Sequence, residues 1–214
     1  MRKISMLTGL MSSLLAAPAI AQDLEVVGRP HQGGIGFQPA ATELARDLQW
    51  LDGMLLIIIT AICVLVVGLL IYAFIRYNRR SNPNPSAFTH NTPVEVAWTV
   101  GPILILVVIG AFSLPILFKQ QEIPEGDVIV KVTGYQWYWG YEYPDENIIF
   151  ESYMIKEKEL KENQPRLLTV DNEVVVPVNK VVKVLITAND VLHAWALPSF
   201  GVKRDAVPGR INET

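Results

Sequence analysis

Two uncharged runs, Gly53–Ile75 and Val96–Phe118, are the most apolar long stretches of the chain. At a helical rise of about 1.5 Å per residue, each is long enough to cross a hydrocarbon core of roughly 30 Å. Together they predict a transmembrane hairpin. Pro102 and Pro115 bend or end a helix without forbidding a span. Ahead of the hairpin, Met1–Ala21 places Arg2 and Lys3 before an uncharged stretch, with Ala19 and Ala21 flanking Ile20. That arrangement reads as a secretory signal peptide removed after Ala21. Gln22–Asp52 is polar and loop-like, with a short helix expected from Thr42 towards Trp50.

Beyond the second run the hydrophobic period shortens to two. Val128, Val130 and Val132 alternate with Ile129, Lys131 and Thr133, and further strands are expected at Ile148–Ile155, Leu167–Val170, Val174–Val176 and Val181–Thr187. Several short strands at this spacing predict an antiparallel sandwich or Greek-key barrel. Lys156–Pro165 reads as a charged, solvated loop. Gly134–Tyr143 packs six aromatic residues into ten positions of a chain that is 9% aromatic overall. Read as one strand, it sets Tyr135, Trp137, Trp139, Tyr141 and Tyr143 on one face, with Gln136, Tyr138 and Glu142 on the other. Such a face serves as a packed core, as an interfacial belt, or as a π-rich platform for an electron or a stacked ligand.

Charge decides orientation. Arg76, Arg79 and Arg80 lie between the two runs, whereas Gln22–Asp52 is mostly acidic, so the joining segment faces the cytoplasm and both outer ends face the exterior. A net charge of -3 argues against nucleic acid as a partner and suits a basic protein. Cys63, the only cysteine, falls within the first membrane run, so no intrachain disulfide forms.

Candidate chemistry is sparse. His193, in Asp190-Val191-Leu192-His193-Ala194-Trp195, is expected in a loop after a strand, as a hydrogen-bonded structural residue or as a metal ligand. An electron-transfer copper site needs thiolate beside histidine, often with methionine, and no Cys or Met follows Met154. A complete copper site is therefore not assembled from these residues alone. Thr92, Pro93 and Glu95 read as a capping box with Thr92 as N-cap. Glu95 at the mouth of a membrane helix also suits proton collection, and the two roles are compatible.

Five motifs in order carry a family resemblance over about Phe37–Thr214: Thr92-Pro93-Val94-Glu95-Val96-Ala97-Trp98-Thr99, the run Gly134–Tyr143, Phe150-Glu151-Ser152-Tyr153-Met154, Asp190–Trp195, and Lys203-Arg204-Asp205-Ala206-Val207-Pro208-Gly209-Arg210. In these the chain resembles subunit II of the haem-copper cytochrome c oxidases, of the bacterial kind with a cleaved signal. The resemblance implies a two-helix hairpin followed by an all-β cupredoxin-like Greek-key domain that holds a dinuclear copper centre. It implies electrons accepted from cytochrome c and passed to haem in subunit I, where oxygen is reduced with proton pumping. His193 matches a copper ligand, Trp137 the aromatic residue of electron entry, and Glu95 the acid at a proton-uptake mouth. Glu142, Asp171 and Asp190 match acidic positions that dock the basic cytochrome.

The implied organisation is a signal peptide (1–21), a periplasmic segment (22–52), membrane helices (53–75 and 96–118) around a cytoplasmic linker (76–95), and a periplasmic domain (119–214) in a bacterial inner membrane. The family's paired cysteines, second histidine and methionine fall after the position where this sequence stops, so the expectation is a carboxy-terminally incomplete record. Two other classes compete: a copper-free structural subunit of a quinol oxidase, and a membrane-anchored periplasmic binding module. Trp137 and His193 together count against the first, and the ordered motifs against the second.

Overall fold

The computed structural model describes residues 26–214. The expected signal peptide lies outside them. Helix α1 (Glu43–Arg76) and helix α2 (Thr92–Gln121) are both long and apolar enough to cross a membrane. They run antiparallel: Lys119 near the end of α2 reaches Glu43 (2.8 Å) and Asp47 (2.6 Å) at the start of α1, and Trp50 meets Phe112 edge-on at 5.6 Å. The short helix expected at Thr42–Trp50 is the front of α1, because nothing in that stretch interrupts helical hydrogen bonding before the apolar run begins. Thr42 caps α1 by accepting from the Ala45 amide at 3.1 Å. At the other end the Asn78 side-chain amide donates to the Phe74 and Ile75 carbonyls, closing α1 and turning the chain.

The cap of α2 differs from the expected one by a residue. Asn91, not Thr92, is the N-cap: its Oδ1 accepts from Val94, and its own N–H donates to Glu95 Oε1 at 3.1 Å. Asparagine's short carbonyl reaches the helix amides from an extended backbone, which places Pro93 in the second helical position and makes Glu95 the reciprocal partner four residues on.

Seven strands follow: β1 (Val128–Tyr135), β2 (Tyr138–Tyr143), β3 (Ile148–Ser152), β4 (Val182–Ala188), β5 (His193–Leu197), β6 (Val202–Ala206) and β7 (Asn212–Glu213). One sheet has the order β3-β2-β1-β4-β7, and the hairpin β5-β6 forms a second layer. The sheet is mixed rather than wholly antiparallel, since β1 and β4 pair in parallel from Val128↔Val182 to Gly134↔Ala188. The residues between β2 and β4 return the chain to the start of β1 and so allow this pairing.

Between the layers lie Val130, Val132, Tyr141, Tyr143, Ile186, Ala188 and Ala206, with Trp139, Phe150 and Trp195 packed around them. Val132 and Ile186 are wholly excluded from solvent, and each such side chain stabilises the fold by about 1.5–3 kcal/mol. The two expected strands before β4 do not form. Leu167 adopts a left-handed backbone (φ 66°), leaving only the bridge Val170↔Met154 in that stretch. Val174–Val176 joins no ladder and is held instead by Tyr143 Oη donating to the Val175 carbonyl at 2.9 Å.

The aromatic run is not one strand. It folds back at Gln136–Trp137, so Tyr135 pairs with Tyr138 and Gly134 with Trp139. Trp139, Tyr141 and Tyr143 point inward from β2, while Tyr135 and Tyr138 stack outside at 4.7 Å. The fold-back is fixed from elsewhere in the chain, by a carboxylate that captures the Gln136 amide.

Candidate functional site

The turn between β1 and β2 leaves Trp137 83% exposed, the most exposed aromatic ring of the β domain. Its position follows from the residues behind it. Asp190 Oδ2 accepts from the Gln136 N–H at 2.8 Å, and the Asn189 N–H donates to the Gly134 carbonyl at 3.0 Å. The other oxygen of Asp190 accepts from the Val191 N–H at 2.6 Å and from His193 Nε2 at 2.7 Å. One carboxylate thus joins the exposed turn to the histidine. The His193 hydrogen bond first, then the Val191 and Gln136 amides, hold Asp190 below the usual carboxyl range.

His193 is not in a loop. It opens β5, paired with Ala206, and only 12% of its side chain is exposed. Its ring lies against Gly134 and meets Trp139 edge-on at 5.9 Å. A Cβ at Gly134 would stand 2.8 Å from His193 Cδ2, so the bare backbone there makes the ring's seat. A carboxylate only accepts, so Nε2 carries a proton toward Asp190, and Nδ1 is the ring nitrogen that this bond leaves unengaged. That nitrogen is the one available to a metal.

Among the described residues no group of three or more His, Cys, Asp or Glu could hold a metal ion, and the only thiol, Cys63, is in α1. Thiolate-bridged copper needs soft donors beside the imidazole, and Asp190 is a hard donor already engaged by three hydrogens. Among the described residues, His193 therefore fits one ligand of a dinuclear copper centre, and thiolate donors to join it are not among them.

Trp137, Asp190 and His193 come together; the other expected residues do not. Glu142 lies on the outer face of β2, 3.1 Å from Lys131. Asp171 accepts from the Tyr153 and Asn172 amides at 2.7 and 2.8 Å and so stiffens a bend. Glu95 belongs to the cap of α2, at the end of that helix opposite the β domain. The role of Gly134 was missed; the Asp190-x-x-His193 spacing was the available signal for the carboxylate–imidazole pair.

A two-helix membrane hairpin carrying a β-sandwich, with a seated histidine behind an exposed tryptophan, defines a membrane-anchored, cupredoxin-like electron-transport subunit. Family models agree in two parts: "Cytochrome C oxidase subunit II, transmembrane domain" matches residues 30–116, and "Cytochrome C oxidase subunit II, periplasmic domain" matches residues 128–214. The chain belongs to the cytochrome c oxidase subunit II family, whose members are subunits of a membrane oxidoreductase, and its β domain is the family's periplasmic domain. It is 54% identical to cytochrome c oxidase subunit 2 of Cereibacter sphaeroides, over 99% of this chain and 78% of that one. It is 52% identical to a probable cytochrome c oxidase subunit 2 of Rickettsia bellii, over 84% of this chain and 67% of that one. A crystal structure of the periplasmic domain of subunit II of cytochrome oxidase from Bradyrhizobium japonicum is 56% identical, at a TM-score of 0.40 covering 44% of this chain and 64% of that one.

Proposed function

We propose that this chain is the electron-entry subunit of a proton-pumping oxidase in a bacterial inner membrane, docking cytochrome c at Trp137. One observation carries the reading: an 83% exposed indole on a turn whose backbone is tethered by Asp190 to the seated His193. An exposed π-system on a fixed turn offers a redox protein direct contact without a conformational change. Asp171 and Asp190 present negative charge to a basic partner, which chiefly raises encounter rate, whereas Lys131 offsets the charge of Glu142. The apolar flanks of α1 and α2 suit the bilayer and subunit I. Glu95 serves as the mouth of a proton-uptake route while capping α2.

In this reading His193 supplies one imidazole ligand to a copper centre. The test is Trp137→Phe in the assembled oxidase. Slower reduction by cytochrome c with copper content unchanged supports docking at Trp137; unchanged kinetics overturn it, and loss of copper makes the residue structural. A second reading is the copper-free subunit of a quinol oxidase, against which the exposed Trp137 and the seated His193 both count. Turnover with quinol and none with cytochrome c would establish it.

A further inference from the structure

On the outer face of the sheet, beside the docking turn, three tyrosines form a continuous stack that neither electron entry nor the core requires. Tyr135 and Tyr138 lie 4.7 Å apart with rings 5° from parallel, and Tyr138 and Tyr153 lie 4.4 Å apart at 25°. The bare backbone of Gly140 makes room for the first ring, since a Cβ there would stand 3.1 Å from Tyr135 Cε2. At the far end of the stack the Tyr153 hydroxyl donates to Glu151 Oε2 at 2.6 Å, in the range of a charge-assisted O–H···O⁻ bond. Tyr153 is 42% exposed, so an oxidant in solution reaches it.

Phenol oxidation is difficult because the radical cation is strongly acidic; a base already hydrogen-bonded to the hydroxyl removes that barrier. Stacking spreads the oxidising equivalent over neighbouring rings, and the carboxylate draws it to the ring whose hydroxyl is already bonded to a base. We propose that Tyr135, Tyr138 and Tyr153 with Glu151 form a proton-coupled redox site, a sink for strong one-electron oxidants that reach this face. One electron passes from Tyr153 to the oxidant, the Oη–H bond breaks, and the proton moves to Glu151 Oε2. The products are a neutral tyrosyl radical, a protonated glutamic acid and the oxidant reduced by one electron. The same hydrogen bond raises the phenol's pKa, so Tyr153 keeps its proton until it is oxidised.

The experiment uses the assembled oxidase, with photogenerated tris-bipyridyl ruthenium(III) as oxidant and a nitroso spin trap. Adducts are mapped on this chain by mass spectrometry. The expected result is an adduct concentrated on Tyr153, lost in Glu151→Gln, with thermal unfolding of the complex unchanged. In Tyr153→Phe the adduct moves back to Tyr138 or Tyr135. Adducts that follow exposure alone, dominated by Trp137 and insensitive to Glu151→Gln, overturn the proposal. So does a Glu151→Gln complex that remains folded and retains the Tyr153 adduct.

Discussion

Adding one methyl group at Gly134 tests whether the histidine's seat is built from backbone. In Gly134→Ala the new Cβ would meet His193 at 2.8 Å (Cδ2), 2.9 Å (Cγ) and 3.1 Å (Cβ), the first two closer than real Cβ atoms come. Gly134 is in register with both Trp139 and Ala188, so the backbone of β1 has little freedom to retreat. The imidazole has to move instead, which strains or breaks its bond to Asp190. Overpacking of this kind costs about 1–3 kcal/mol. That is roughly a 5- to 150-fold loss in the folding equilibrium, at about 1.4 kcal/mol per tenfold.

In guanidinium unfolding of the purified chain in detergent, followed by tryptophan fluorescence, a slope of about 3 kcal/mol/M puts the midpoint about 0.3–1 M lower. Trp139 and Trp195 flank the site and report on it. Gly140→Ala is the control: its new methyl would stand 3.1 Å from Cε2 of Tyr135, an outer-face ring with room to shift, and in ordinary contact with the Thr133 carbonyl at 3.8 Å, and is expected within about 0.5 kcal/mol of wild type. The decisive comparison is a double-mutant cycle with His193→Ala, which removes the clashing ring. Gly134→Ala is expected to cost much less in that background. An equal cost in both backgrounds refutes the argument, because the penalty would then belong to the strand and not to the seat.

Three further outcomes follow from the geometry. Tyr141 and Tyr143 are held above the ordinary phenol range, chiefly by burial, so in an alkaline spectrophotometric titration both ionise later than a free phenol. Since the folded form keeps these protons longer than the unfolded chain, their contribution is complete below about pH 10 and is lost as pH rises through the folded values; ionisation of both at the ordinary phenol value in the folded protein would contradict this. At the membrane hairpin, Asn91→Ala removes the N-cap of α2 and is expected to cost about 1 kcal/mol in thermal unfolding. Glu95→Gln keeps an oxygen for the Asn91 amide, so it should leave stability near wild type while slowing proton-linked reduction of the oxygen site; an effect confined to assembly would reduce Glu95 to a cap.

Residues whose environment is set by neighbours in the chain were the legible ones. The apolar runs of α1 and α2 and the alternation of β1 and β4 declare their elements because each pattern is many residues long. The fold-back at Gln136 is invisible to alternation, because the carboxylate that fixes it comes from Asp190, 54 residues away. Val174–Val176 has a strand's composition but finds its partner in a tyrosine hydroxyl rather than a ladder. His193 and Trp137 were recognisable as candidates from motif, whereas their physical connection through one aspartate emerged only from the fold.

The β domain is moored to the hairpin at several places. The Ala41 amide donates to the Ser199 carbonyl at 2.7 Å, Thr42 Oγ1 to the Phe200 carbonyl at 2.8 Å, and Arg204 Nη2 to the Gln120 carbonyl at 3.0 Å. Gly201 abuts Ala45 and Leu48 so closely that a side chain there would collide with α1. The domain is therefore a turret bolted to its deck, with Trp137 at a set height and bearing, and a visiting protein has to find the angle because the target does not swing to meet it.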